Sequence, residues 1–124
     1  MAGYVVNIEE KSRSNGYFRQ VLFTTPKSQL VVMALQPNED IGLETHQEHD
    51  QFIRVEEGMG KAILNGEEFD LSDGSAVVIP AGVEHNIVNS AHGVMKLYTL
   101  YTPPEHEDGT VHQTKAEALA AHHE

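Results

Sequence analysis

The run from Gly74 to Asn89, GSAVVIPAGVEHNIVN, combines a glycine turn, an apolar strand over Ser75–Ile79, a Pro80-Ala81-Gly82 corner and a histidine. Pro80 fixes its own φ and has no N–H to donate, so it ends the strand. Gly82 supplies a backbone conformation that other residues resist. In the strand after the corner, alternation places His85, Ile87 and Asn89 on one face. A histidine is therefore aimed to the same side as an apolar residue, directly after a rigid turn.

The flanking sequence repeats the strand-and-turn rhythm on both sides. Tyr4–Ile8 reads as a short strand and Glu9–Gly16 as a charged turn. Tyr17–Thr24 and Gln29–Leu35 read as strands, the second apolar enough to be buried on both faces. Pro37-Asn38-Glu39-Asp40 marks a turn, and the polar segment IGLETHQEHDQ leads into a strand over Phe52–Glu56. Lys61–Leu64, Asn65-Gly66 and Glu67–Leu71 form a β-hairpin pattern, since Asn-Gly suits a type I′ turn. Val94–Tyr101 is a last long strand, stopped by Pro103-Pro104. Thr114–His122 is alanine-rich and predicts a short helix capped by Thr114. Short strands at close spacing with one terminal helix argue for an all-β sandwich or barrel rather than an alternating α/β fold.

Composition narrows the function classes. The 124 residues suit one domain with a real core, and 40% hydrophobic content with ten glycines and five prolines reads as globular and turn-rich. The absence of cysteine excludes disulfides, thiolate metal sites and cysteine nucleophiles. It also accords with a reducing compartment, so a cytoplasmic location is expected. A net charge of −11 opposes binding to phosphate backbones and anionic lipid, which disfavours nucleic acid and membrane as partners. Of eight histidines, His122 and His123 sit at the chain end and are expected to have no role, and His92 lies in a solvated turn.

Gly74, Pro80, Gly82, His85 and Asn89 match every fixed position of G-x5-P-x-G-x2-H-x3-N, the second motif of the cupin superfamily, which this chain resembles over most of its length. The family's first motif, G-x5-H-x-H-x3-4-E-x6-G, is met in part. Gly58 fits its end, Gln51 stands at the glutamate position, His46 at the second histidine, Glu44 at the first, and Asn38 at the opening glycine. The resemblance implies a double-stranded β-helix, or jelly-roll barrel, as a single domain over residues 1–124. Its barrel core spans about residues 28–102, followed by a C-terminal loop and short helix over 103–124.

It also implies one divalent metal ion held by Glu44, His46, Gln51 and His85. The residues themselves agree in direction. Glu44 and His46 are two apart and point the same way in an extended segment, while Gln51, Ile53 and Val55 form the better inner face of their strand. Two imidazoles and a carboxylate suit Fe, Mn, Zn, Ni or Co and leave positions for water or substrate. His49 is the rival to Gln51, and enters if the loop bends. Tyr98 and Tyr101 are expected to pack rather than bind.

The implied function is a metal-dependent enzyme of the dioxygenase, isomerase or cyclase type acting on a small organic molecule in the barrel. The alternative is a non-catalytic module that binds a metal or small ligand. The resemblance further implies a homodimer, with the Tyr4–Ile8 edge available for pairing. No catalytic side chain and no substrate are named by the sequence.

Overall fold

The computed structural model describes residues 2–121, so His122 and His123 lie outside the described residues. Its elements in chain order are α1 (Ile8–Ser14), β1 (Arg19–Thr24), β2 (Gln29–Leu35), β3 (Glu44–Thr45), β4 (Asp50–Glu57) and β5 (Gly60–Leu64). They continue with β6 (Glu67–Leu71), β7 (Ala76–Ile79), β8 (Glu84–Val88), β9 (Met95–Thr102), β10 (Val111–His112) and α2 (Lys115–Ala121). One sheet has the order β10-β1-β2-β9-β4-β7 and the other β3-β8-β5-β6, with every pairing antiparallel.

The core lies between the two inner faces. Val31, Met33 and Leu35 of β2, Ile53 and Val55 of β4 and Leu97 of β9 supply one side, and Ala62 of β5 with Ile87 of β8 the other. Alternation along β9, and along β4 as far as Val55, puts Ile53, Val55, Met95 and Leu97 inward and leaves Phe52, Tyr98 and Leu100 on the outer face, as in a sandwich of two packed sheets. The sheets form the jelly-roll sandwich, but not a closed barrel. The edge strands β6 and β7 are joined by a turn whose backbone bonds go to Val55 of β4 and not from one edge to the other.

The N-terminus corrects the sequence reading. Tyr4–Ile8 is not a strand: its regular part begins only at Ile8, as the start of α1. The Asn7 side chain accepts a hydrogen bond from Glu10 N at 3.0 Å, and Glu9 and Glu10 lie in the first turn, where the helix dipole favours anions. The residues read as a charged turn are thus a capped helix. Arg13 fastens it to the outer face of β4, donating to Glu56 O at 2.9 Å and Glu57 Oε1 at 3.0 Å. Tyr4 meets the sheet by stacking on Phe23, with ring centroids 5.2 Å apart, so the expected pairing edge is absent. At the other end, Thr114 caps α2 as expected, accepting from Glu117 N at 3.1 Å. Among the described residues no helix is long and apolar enough to cross a membrane.

Candidate metal centre

The corner after β7 does what its sequence requires. Gly82 takes φ +89°, and its N–H donates to His46 O at 2.8 Å; Ala81 N–H donates to Asp50 Oδ1 at 2.9 Å. The second-motif corner is thereby tied to the loop that carries His46. Pairing of β3 with β8 sets Glu44 directly opposite His85, so both side chains leave the sheet on the same face. His85 is buried, and its Nδ1–H donates to Val83 O at 2.9 Å. That bond selects the tautomer with a lone pair on Nε2, which is how a ligating imidazole is usually oriented. Asn89 plays a structural part. Fully buried, it donates to Leu35 O and Gly93 O at 2.9 Å each and accepts from Ala91 N at 3.0 Å, closing the turn before β9.

Three of the expected site residues converge. Donor atoms of Glu44, His46 and His85 all lie within 4.8 Å of one another. His46 Nε2 is buried, stands 3.4 Å from Glu44 Oε1 and makes no hydrogen bond. Gln51 reaches the same region from β4, where it lies opposite Tyr101. Its Nε2 donates to Thr99 Oγ1 at 3.0 Å, while its carbonyl Oε1 is buried without a partner. A buried acceptor without a donor is costly, and a cation would satisfy it.

His49, the rival to Gln51, goes elsewhere. Its Nδ1 donates to Pro103 O at 2.8 Å and its Nε2 faces Glu105 Oε1 at 2.8 Å. Glu105 also stands 3.6 Å from His46 Nδ1. A second group, His46, His49 and Glu105, therefore occupies the opposite edge of the same imidazole.

Charge is matched across the centre. Burial alone would push the Glu44 carboxyl up, but His46, with the charges of Arg19 and His85, holds it below the usual carboxylate value. Glu44 in turn raises the His46 imidazole above its ordinary value against the effect of burial, with help from Glu105. Burial pushes the Tyr101 hydroxyl far up, so it stays protonated. The Tyr101 ring packs edge-on against His46 and His106, at centroid distances of 6.1 Å and 5.3 Å.

Two of these groups escaped the sequence reading. Arg19 is buried and Glu105 half-buried. Arg19 had a signal: it shares strand parity with the buried Val21, so its guanidinium enters from the inner face of β1. Glu105 had none, being one acid in the acidic loop EHEDG. It is held in place by Gln29 of β2, a fully buried side chain. Gln29 Oε1 accepts from Glu105 N at 3.2 Å and His106 N at 2.9 Å, and Gln29 Nε2 donates to His106 O at 2.7 Å.

Size alone would misplace the site. A concavity of about 450 Å³ between α1 and the outer face of β4 contains none of these donors. A smaller one of about 250 Å³ is lined by Arg19 and Glu44 with Phe18, Ile41, Lys115 and Leu119.

Known proteins align with this description. A family model described as a cupin domain matches residues 31–101. An uncharacterized protein of Bacillus subtilis, YrkC, is 44% identical over 124 residues, covering 95% of this chain and 67% of that protein. An uncharacterized protein of Acanthamoeba polyphaga mimivirus, L612, is 45% identical over 113 residues, covering 87% and 70%. The crystal structure of BH2720 from Bacillus halodurans superposes with a TM-score of 0.93 at 44% identity, over 94% of this chain and 93% of that one.

Proposed function

The chain belongs to the cupin family, and on that footing we propose that it is a metal-dependent enzyme acting on a small organic anion. Glu44, His46 and His85 would hold one divalent ion, with the Gln51 carbonyl completing the set. The observation that carries this reading is the convergence of the three donor atoms around a histidine whose free lone pair is fixed by Val83. Donors of this type fit Fe, Mn, Zn, Ni or Co. The His46–Glu44 separation of 3.4 Å matches the roughly 3.4 Å between neighbouring ligands around a tetrahedral ion with bonds near 2.1 Å.

Such an ion supplies Lewis acidity and open coordination positions. The chain supplies the rest. Glu44 is kept ionised, so the centre has a negative ligand although Gln51 stands where a carboxylate is expected. Tyr101, held protonated by burial, serves as a hydrogen-bond donor to a substrate oxygen and not as a base. Arg19 is the one buried lysine or arginine among the described residues, and its Nε has no hydrogen-bond partner. A buried guanidinium beside the site favours a substrate with a carboxylate or enolate oxygen. Reactions of the dioxygenase, isomerase or cyclase type fit these groups.

The test is metal binding by protein without a polyhistidine tag, followed by elemental mass spectrometry and titration with Fe(II), Mn(II), Ni(II) and Zn(II). His46→Ala should abolish binding. His85→Ala and Glu44→Gln should each weaken it on the order of 100-fold or more, beyond the effect of losing an outer-shell partner. Wild-type protein that takes up none of these ions, or variants that bind as tightly as wild type, would defeat the proposal. Binding without turnover of any small carboxylate would favour the non-catalytic module.

A further inference from the structure

We infer that the mouth of the sandwich carries a second divalent-cation position, formed by His46 Nδ1, His49 Nε2 and the Glu105 carboxylate. It lies on the edge of the His46 ring opposite Glu44 and His85. The donor atoms lie within 4.8 Å of one another, with separations from Glu105 Oε1 of 2.8 Å to His49 and 3.6 Å to His46. The longer of these is close to the roughly 3.4 Å expected between ligands of one tetrahedral ion.

A simple ion pair between His49 and Glu105 accounts for only part of this geometry. It leaves His46 Nδ1 at 3.6 Å from the carboxylate, too far for a hydrogen bond. The 2.8 Å separation is that of a charge-assisted hydrogen bond, which an ion would replace, while His46 Nδ1 converges on the same carboxylate without bonding to it. Two of the three groups are also held in position from outside. The Pro103 carbonyl accepts a hydrogen bond from His49 Nδ1–H, which leaves Nε2 as the ligating atom. Glu105 sits on a loop gripped on both sides by the buried Gln29 amide. The donors come from two loops, His46 and His49 from the one between β3 and β4 and Glu105 from the one after β9. The position therefore belongs to the mouth rather than to the ladder.

Two imidazoles and one carboxylate select borderline cations such as Zn(II), Ni(II), Co(II) or Cu(II) over Mg(II) or Ca(II). A neutral imidazole has one lone pair, so His46 serves one edge as one tautomer and the other edge as the other. Occupancy at the mouth thus bears directly on the centre beneath it.

The test uses His85→Ala, which disables the first centre and leaves this one intact. That variant, loaded with Zn(II) and desalted, should retain one ion by elemental mass spectrometry. It should lose that ion when Glu105→Gln or His49→Ala is added, with circular dichroism confirming that each variant is folded. Glu44→Gln provides a second background if His85→Ala does not fold. The inference is overturned if these backgrounds bind no zinc, or if the zinc they bind is indifferent to Glu105→Gln and His49→Ala. The outcomes separate from those of the first centre: that reading fails when the wild type takes up no ion or when His85→Ala and Glu44→Gln leave its affinity unchanged, whereas this one is read from the effect of Glu105→Gln and His49→Ala within those backgrounds.

Discussion

The Gly74–Asn89 and Asn38–Gly58 stretches lead to the same three donor atoms by different means. In the first, backbone demands fill nearly every fixed position. Gly82 must take a positive φ, Pro80 must end a strand and Asn89 must close a turn, so a single histidine is delivered with little freedom. In the second, the fixed positions are mostly donors, and donors can be exchanged. Glu44 stands for a histidine, Gln51 for a glutamate, and a carboxylate from residue 105 reaches His46 from beyond β9. Conformational requirements tolerate few residue types, whereas a site's charge can be supplied from several places.

The rigid side should break first, and from outside, where Gly60 of β5 abuts its last strand. A Cβ on Gly60 would lie 2.1 Å from Val88 O and 2.4 Å from Met95 Cε, directly under the end of β8. Gly60→Ala should therefore destabilise the protein by roughly 1–3 kcal/mol, lowering Tm by roughly 5–15 °C in a thermal melt. A change within experimental error would show that the β5–β8 contact has slack and that the contrast is overstated.

Gln51→Glu would sharpen the exchangeable side by restoring the carboxylate. A second buried negative charge near Glu44 should lower metal-free stability by about 1–2 kcal/mol and tighten Zn(II) binding roughly tenfold. Denaturant melts with and without zinc read both effects. Tighter binding without the loss of metal-free stability would mean that residue 51 is remote from Glu44.

Asn38 tests whether the first motif keeps any conformational requirement. Its φ is +69°, a region open to glycine and tolerated by asparagine. Asn38→Ala should cost about 1 kcal/mol in chemical denaturation, while Asn38→Gly should stay within about 0.5 kcal/mol of wild type.

The smallest effect concerns the link between the two regions. Asn86 of β8 donates to Asp40 Oδ2 at 2.8 Å and accepts from Gly42 N at 2.9 Å, and Lys115 of α2 pairs with Asp40 Oδ1. Burial would raise the Asp40 carboxyl, but Asn86 and Lys115 together hold it below its ordinary value. A carboxyl depressed in the folded state stabilises above its unfolded pKa of about 3.9, and that contribution fades as pH falls through the lower folded value. Lys115→Ala should therefore lower stability by no more than about 1 kcal/mol at pH 7, and by less at pH 3.

What could be read from the chain follows the same division. Alternation and turn residues located β2, the β5–β6 hairpin, β7, β8 and β9 to within a residue or two, because each is a local pattern facing a shared core. Helix α1 was misread because its determinant, the Asn7 cap, lies in one side chain and its stripe of buried residues is only Ser12. That His85, His46 and Glu44 come together was legible through the motif resemblance. Glu105 was not, because its proximity to His46 depends on Gln29, seventy-six residues earlier, bonding the loop that carries it.

That bond has one more implication. Of that loop Gln29 takes hold of main-chain atoms only, two N–H groups and one carbonyl of residues 105 and 106, while its Nε2 also donates to Thr24 Oγ1 on β1. The loop's seat is therefore blind to which side chains it presents. Position 105 works as a socket, in which acid, amide, imidazole or hydrocarbon can be exchanged at the rim of the site without altering the fold. On the proposed function, changing that single residue would retune what the mouth admits within one scaffold.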